Sequence, residues 1–158
     1  MSATEKENLL RDEYLFLQET YEDFDQRALL IKGWSVTVSL GGLVVGLQYG
    51  KPYIWAIAAL AGVLFWTIEA MWKGFQYCFS PRIQEIEAHF RGEAKYSEIK
   101  PLQIYSSWFE AYQEQSGGVA RDLIQSAFLP LVFLPHVVSV FAALALLTLH
   151  YVFGVRLV

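Results

Sequence analysis

Hydrophobic residues follow two patterns along this chain, one periodic and one continuous. In the N-terminal segment, apolar and aromatic side chains recur at alternating steps of four and three among charged residues, which indicates an amphipathic helix. The residues of this heptad seam are Leu10, Tyr14, Leu17, Tyr21, Phe24, Ala28 and Ile31. Because nothing between Asp12 and Gly33 breaks a helix, we expect residues 5–49 to form one rod of about 65 Å at 1.5 Å per residue.

Three continuous apolar stretches follow the seam. Residues 33–50 and 52–68 contain eighteen and seventeen residues without a charge, close to the roughly 20 that a helix needs to cross a bilayer. Lys51 and Pro52 between them predict a tight turn, and therefore an antiparallel hairpin of two spans. The third stretch, residues 128–153, is uncharged but contains Pro130 and Pro135. We expect its regular helix to begin near Pro135, and residues 127–136 to lie in the membrane or at its interface.

Two amphipathic helices are predicted between the second and third stretches. The first should have Ser80 as its N-cap and Pro81 in its first turn, and should end at Gly92. The second should end at residues 116–118. One side of this second helix carries Leu102, Tyr105, Trp108, Phe109 and Tyr112. No strand pattern appears, so we expect an all-α integral membrane protein in four parts. These are a heptad helix over 1–28, a transmembrane hairpin over 29–73, a helical insert over 74–126, and a third span with a short tail over 127–158.

Composition and charge support a membrane location and suggest an orientation. Hydrophobic residues make up 54% of the chain, above the roughly 45–50% apolar share of soluble domains. Most Lys and Arg residues lie in the N-terminal segment and in the insert. Lys51, in the turn of the hairpin, and Arg156, in the tail, are the two expected on the opposite side of the membrane. By the positive-inside rule, we expect the N-terminus and the insert to be cytoplasmic. The charged N-terminal segment before the first stretch predicts a signal anchor rather than a cleaved signal peptide.

Small residues continue the seam into the apolar part of the first helix. This stripe consists of Ser35, Ser39, Gly42, Gly46 and Gly50. A matching stripe in the second stretch contains Ala58 and Gly62. Small residues let helices approach closely in lipid, so both stripes are predicted packing faces. The seam either packs against the insert of the same chain or joins protomers as a coiled coil. We expect a homo-oligomer, since a three-span monomer would not bury all of these faces.

Charged residues also lie on the predicted packing faces. Lys32 comes 19 residues before Lys51 and Glu69 comes 18 residues after it, so an antiparallel hairpin places them at the same depth. The simplest interpretation is an interhelical ion pair near the cytoplasmic interface, with Lys73 as a second neighbour one turn from Glu69. Two alternatives are a ring of Glu69 carboxylates at the mouth of an oligomeric pore, and contacts with lipid headgroups or a partner.

Catalytic and cofactor motifs are not found in the sequence. The three histidines, His89, His136 and His150, lack metal-ligand spacing, and Cys78 is the single cysteine. No phosphate-binding glycine loop or hydrolase motif is present, and no broad basic face indicates nucleic-acid binding. We therefore expect neither enzymatic activity nor a cofactor, metal or nucleic-acid partner.

The segments "YEDFDQRALLIKGWSVTVSLGG" and "FWTIEAMWKGFQYCFSPRI" carry a resemblance to a known family. Their order, a charged helix running into a span, a tight hairpin and a cytoplasmic helix, resembles the SLATT-type bacterial membrane effectors over about the first 92 residues. Those proteins accompany nucleotide-signalling and antiphage systems, including RADAR-like systems, and are thought to perturb the membrane. The resemblance implies a location in the bacterial inner membrane.

Two classes of function remain from the sequence. The resemblance, the seam and the small-residue stripes favour an oligomeric effector that perturbs or permeabilises the membrane in antiphage defence. The long predicted cytoplasmic part favours a non-conducting anchor or regulator that recruits a soluble partner complex.

Overall fold

The computed structural model describes residues 2–96, 98–116 and 119–152, and the regular secondary structure of these residues is entirely helical. The α-helices are α1 (Ala3–Tyr49), α2 (Pro52–Tyr77), α3 (Ser80–Phe90), α4 (Ile104–Ser116), α5 (Val119–Ala127) and α6 (Pro130–Val152). A 3-10 turn covers Ala94–Tyr96. Helices α1, α6 and the one that begins at Pro52 are long and apolar enough to cross a membrane. The all-α prediction and the prediction of three candidate spans are confirmed, and the three helices indicate a membrane protein.

Two glycines end helices by the same backbone device. Gly50 after α1 and Gly92 after α3 both have positive φ, at 59° and 78°. At the first turn, the N–H of Lys51 donates to the carbonyl of Gly46 at 3.1 Å, and the N–H of Gly50 donates to that of Leu47 at 3.4 Å. This is a Schellman motif, which satisfies carbonyls that the end of a helix would otherwise leave free. It lets the chain reverse direction within Gly50 and Lys51, whereas the sequence placed the turn at Lys51 and Pro52; Pro52 is instead the first residue of α2.

Two predicted helix starts differ from the structure. Helix α6 begins at Pro130 and not near Pro135, which lies inside the helix. A proline suits a first turn because its missing N–H would be unbonded there, and the N–H groups of Val132 and Phe133 already reach back to Leu129. At α3, the N-cap is Phe79 in a helical conformation, and Ser80 makes no capping bond. The chain from α2 to α3 therefore stays close to helical, so no hydroxyl cap is required.

The chain divides into two compact units. The first unit contains residues Met1–Gln26 and Trp72–Asp122, and the second contains Arg27–Met71 and Leu123–Val158. Both α1 and α2 contribute to both units. The predicted boundaries at residues 28, 73 and 126 lie close to the observed ones, which follow Gln26, Met71 and Asp122. The predicted parts 1–28 and 74–126, however, belong mostly to the same unit.

The second unit contains the apolar parts of α1 and α2 together with α6. Its core consists of Leu43, Trp55, Ala58, Ala59 and Ala143. Trp55 is buried, and its indole N–H donates to the carbonyl of Leu43 at 3.2 Å. This bond ties the two arms of the hairpin together near its turn, in a region where an unpaired polar group would cost several kcal/mol.

The first unit packs the N-terminal part of α1 against the end of α2, α3 and α4. Its core consists of Leu10, Leu17, Ile83, Ile86 and Ile99. The C-terminal part of the predicted break at residues 116–118 lies outside the described residues, as does the tail after Val152. Helix α4 ends at Ser116, in agreement with the predicted break.

Candidate functional site

An ion pair between Lys32 and Glu69 lies inside the second unit. The Lys32 Nζ is 2.9 Å from the Glu69 Oε1. The Glu69 side chain has no exposed surface, whereas that of Lys32 is 19% exposed. The structure thus brings together the two residues that the sequence placed at equal depth. The ammonium extends toward the surface while the carboxylate stays enclosed, as expected for a lysine near the end of a span.

His136 of α6 is the second partner of Glu69. Its Nε2 lies 2.9 Å from the Glu69 Oε2, and its Nδ1 lies 2.8 Å from the Ser35 Oγ. A neutral imidazole satisfies both contacts if Nε2–H donates to the carboxylate and Nδ1 accepts from the hydroxyl; this tautomer is assigned from the partners. Ser35, Glu69 and His136 are all fully buried. One polar network, Lys32–Glu69–His136–Ser35, therefore joins all three candidate spans.

Sequence reasoning missed the role of His136. The sequence indicates only that His136 lacks metal-ligand spacing, and it predicts no contact of this histidine with Glu69 or Ser35. A signal was available, because His136 lies near the start of an otherwise apolar stretch, where an ionisable side chain needs a partner.

Lys73 does not take part in this network. It belongs to the first unit, where its ammonium pairs with Asp25 and donates to the Gln76 side-chain oxygen at 2.7 Å. Gln76 in turn donates to the carbonyl of Tyr21 at 2.8 Å. The predicted interaction between Glu69 and Lys73 is thus replaced by bonds from Lys73 to the N-terminal part of α1.

Small residues of the stripes are used for close contacts inside the chain. A Cβ placed on Gly42 would lie 2.8 Å from the Cβ of Ala58, and one on Gly46 would lie 2.2 Å from the Trp55 Nε1. A Cβ on Gly62 would lie 2.9 Å from a methyl group of Val140 on α6. Ser39 is buried beside Gly62, and its hydroxyl has no hydrogen-bond partner. The stripes therefore pack the three candidate spans of one chain against each other.

The heptad seam also finds partners within the chain. Leu10 and Leu17 are fully buried in the core of the first unit. The Tyr14 hydroxyl donates to Glu87 at 3.1 Å, and Tyr21 packs against the same core. Phe24 packs against Trp72 with ring centroids 4.7 Å apart. The sequence left two alternatives for the seam, packing against the insert and a coiled coil between protomers. The structure of the single chain shows the seam packed against the insert.

A second buried ion pair lies in the first unit and was not predicted. The Arg82 guanidinium donates to Glu13 from Nε at 2.9 Å and from Nη2 at 3.2 Å. Glu13 also accepts the backbone N–H groups of Leu102 at 2.6 Å and Gln103 at 3.3 Å. Burial opposes the charge of Arg82, but hydrogen bonds to Glu13 and Glu85 outweigh it and raise the pKa of the guanidinium. We call Glu13, Arg82 and the two backbone N–H groups of Leu102 and Gln103 the Glu13 clamp. The one indication of this clamp in the sequence is an acidic residue beside the apolar residues of the heptad seam.

The Glu13 clamp holds a strained leucine at the surface. Leu102 has a φ of 63°, the one positive value for a non-glycine residue among the described residues, and such a conformation costs of order 1–3 kcal/mol. Its side chain is 70% exposed. The carboxylate of Glu13 binds the backbone N–H groups just before α4, where a negative charge is favoured by the helix dipole.

Helix α4 carries its aromatic residues on one broad side, and only part of that side is packed; Leu102, predicted to lie on it, precedes the helix. Trp108 and Tyr112 stack together and pack against Phe75 at ring distances of 6.2 Å and 6.0 Å. Tyr105 and Phe109 stack on each other at 5.9 Å, with Tyr105 74% exposed and Phe109 40% exposed. The predicted single apolar side is therefore divided into a partly buried half and an exposed half. We call the exposed residues Leu102, Tyr105 and Phe109 the aromatic patch.

Comparison with protein-family models, with curated proteins and with solved structures finds no match to this chain. The resemblance to SLATT-type effectors therefore stays a prediction. Within the described residues, no group of three or more His, Cys, Asp or Glu side chains is arranged to hold a metal ion.

Proposed function

We propose that this chain is a non-conducting membrane anchor or regulator that holds a soluble partner at the cytoplasmic face of a bacterial inner membrane. The observation that carries the proposal is that the polar and small residues of the candidate spans contact each other within one chain. Glu69, the best candidate for a pore carboxylate, is completely buried between Lys32 and His136. Gly42 and Gly46, which would serve an oligomer interface, are occupied by Ala58 and Trp55.

The first unit supplies the part that a partner would bind. It has its own apolar core and an internal ion pair, and it still exposes the aromatic patch. A helical unit whose sole task was to support the spans would have no need to keep these aromatic side chains in water. No catalytic role is proposed for any of its residues.

An oligomeric effector that permeabilises the membrane, as in antiphage defence, is the second candidate. The Lys32–Glu69–His136–Ser35 network favours this second candidate, because ionisable residues inside spans often mark ion or proton pathways. A further point in its favour is that at most a third of each apolar helix window is buried within the chain, which leaves surface for other protomers.

Photo-crosslinking in cells tests the proposed recruitment. A benzophenone amino acid is introduced singly at exposed positions of the first unit, such as Leu15, Glu22 and Tyr105, and at Leu149 of α6 as a control. We expect adducts with one soluble protein from positions of the first unit and none from Leu149. If every position of the first unit gives only adducts with lipid or with the chain itself, the proposal is wrong.

A further inference from the structure

The second unit contains an apolar groove of about 200 Å³ between α2 and α5. Trp66, Thr67 and Ala70 of α2 line it, as do Leu123 and Ile124 of α5. Ala70 is fully buried and lies at its base, whereas Thr67 and Ile124 are exposed at its rim. Pockets for drug-sized ligands have roughly 300–1,000 Å³, so this groove suits one narrow chain and not a complete lipid or cofactor.

Polar groups in the lining of the groove are already bonded within the chain. The Trp66 indole N–H donates to the carbonyl of Ala127 at 2.9 Å, and the Thr67 hydroxyl donates to that of Val63 at 2.9 Å. The other lining side chains are hydrocarbon. A buried water typically makes about three hydrogen bonds, and these side chains have no unbonded donor for water or for a lipid headgroup. The occupant that fits the groove is therefore apolar.

Three aromatic rings hold one end of the groove in place. The ring centroid of Trp66 lies 6.1 Å from that of Phe128 and 5.6 Å from that of Phe133, and the two phenylalanine rings stack at 5.7 Å. Together with the bond from Trp66 to Ala127, these contacts fasten α2 to the chain between α5 and α6. The walls of the groove are therefore fixed in advance, and they lose little conformational entropy when a chain enters.

The surroundings of the groove supply an apolar occupant. Helix α2 belongs to one candidate span, and α6, which follows α5, is another. In a bilayer such helices are surrounded by lipid chains that are as apolar as the groove, so contacts with them depend on van der Waals packing. A gap without atoms forfeits the dispersion contacts of its lining. A lipid chain that fills the groove restores those contacts.

We propose that this groove binds one acyl chain of a membrane phospholipid and holds it longer than the lipids around the rest of the spans. The chain lies along Thr67 and Ile124, over Ala70, and completes the packing of α5 on α2. The headgroup stays outside, because the lining offers it no hydrogen bond. This site goes beyond the proposed function and does not depend on a soluble partner.

Photolabelling with a lipid probe tests the site. The full chain is placed in liposomes of phosphatidylcholine with a minor fraction of phosphatidylcholine that carries a diazirine in one acyl chain. Samples are irradiated either in the liposomes or after exchange into mild detergent on a column, and the adducts are mapped by mass spectrometry. We expect adducts at Thr67 or Ile124 to survive the exchange, and adducts at Val138 and Phe141, which are exposed on α6, to be lost.

A variant that fills the groove and a matched control locate the retained chain. Thr67→Phe places a ring in the groove and removes only a hydroxyl bond within α2. Thr148→Phe makes the same change at an exposed threonine of α6, whose hydroxyl donates to the carbonyl of Leu144 in the same way. We expect the retained adducts to be lost in Thr67→Phe and unchanged in Thr148→Phe. Thermal melting checks that both variants are folded, and Thr67→Leu is a smaller filling for use if the ring destabilises the protein.

Four results would overturn the lipid site. Groove adducts lost in detergent as fast as those at Val138 would mean ordinary surrounding lipid, and adducts retained in folded Thr67→Phe would place the chain elsewhere. Stronger retention of a fatty acid with the same diazirine would identify a free fatty acid as the occupant. Crosslinks from a benzophenone at Ile124 to a second copy of the chain would identify a protomer. None of these results bears on crosslinking of a soluble partner to the first unit.

Discussion

Each unit of the molecule buries one carboxylate almost completely, but the two carboxylates have different kinds of partners. Glu13 in the first unit accepts two bonds from Arg82 and two from backbone N–H groups. Glu69 in the second unit is hydrogen-bonded to His136 through Oε2, while its Oε1 faces the Lys32 ammonium at ion-pair distance without a hydrogen bond. A carboxylate bound to backbone fixes the path of the chain, whereas one bound to side chains joins helices whose paths are already set by packing. We therefore expect the first unit to be more sensitive to the loss of its carboxylate.

Replacing the carboxylate of the first unit is the strongest test of this comparison. Glu13→Gln leaves the guanidinium of Arg82 buried without a full counter-ion, a change that typically costs about 3–5 kcal/mol. We expect a fall of this size in the free energy of unfolding, and faster proteolysis of the loop before α4. The matched control is Glu85→Gln, because Glu85 also contacts Arg82 but is 32% exposed, so its loss should cost less than about 1 kcal/mol.

Close helix packing in the second unit should give the next largest effect. Gly46→Ala places a Cβ within 2.2 Å of the Trp55 indole nitrogen, and overpacking of this kind costs about 1–3 kcal/mol. Gly41→Ala is the control, since nothing lies within 4 Å of its Cβ position. Thermal melting in one detergent compares the two variants. Equal melting temperatures would mean that the two arms of the hairpin do not approach as closely as described.

Loss of the second carboxylate should be milder than loss of the first. Glu69→Gln removes the counter-ion of Lys32 and leaves one amide oxygen to accept from His136. We expect a cost of about 1–2 kcal/mol, because Lys32 can reach water and pair couplings in membranes are modest. The swap of Lys32→Glu with Glu69→Lys should recover most of this loss. His136 can accept a bond from the new ammonium after changing its tautomer. A swap no more stable than the single variant would contradict the pairing.

Two serines of α1 provide the smallest and most specific comparison. Ser35 is bonded to His136, whereas the buried hydroxyl of Ser39 has no partner. Ser35→Ala should cost about 0.6 kcal/mol, the average for such bonds between spans, and Ser39→Ala should cost nothing or stabilise the protein. Unfolding of both variants in the same detergent mixtures gives the difference. A larger loss for Ser39→Ala would show that its hydroxyl has a partner.

The helices and the pairing of Lys32 with Glu69 could be predicted from the sequence, because each follows from a pattern within one or two neighbouring helices. Uncharged stretches of the length of a bilayer indicate spans, and counting outward from Lys51 gives equal depth on the two arms of a hairpin. His136 could not be assigned in this way, since its contact with Glu69 depends on how α6 is rotated against the hairpin. Glu13 illustrates the same limit: its partners lie 69 and 89 residues away, beyond any periodicity.

The aromatic residues of α4 show that a predicted apolar side can be covered only in part. Tyr105 and Trp108 are three residues apart, so one broad apolar side was a reasonable expectation. The contacts with Phe75 and Phe79 use Trp108 and Tyr112, and leave Tyr105 and Phe109 exposed. Which half of a broad apolar side is buried is decided by tertiary packing. Likewise, the expected homo-oligomer stays a prediction, although the residues that suggested it pack within one chain.

Ion flux through reconstituted protein is the most direct test of the claim that Glu69 belongs to an enclosed network and not to a pore. Wild type and Glu69→Gln are placed in liposomes, and potassium and dye release are recorded beside empty liposomes and liposomes with a known channel peptide. Our account predicts that neither protein releases ions or dye above the empty liposomes, while Glu69→Gln melts at a lower temperature. Conductance by the wild type, with a changed cation preference in a Glu69→Gln protein of normal stability, would contradict it.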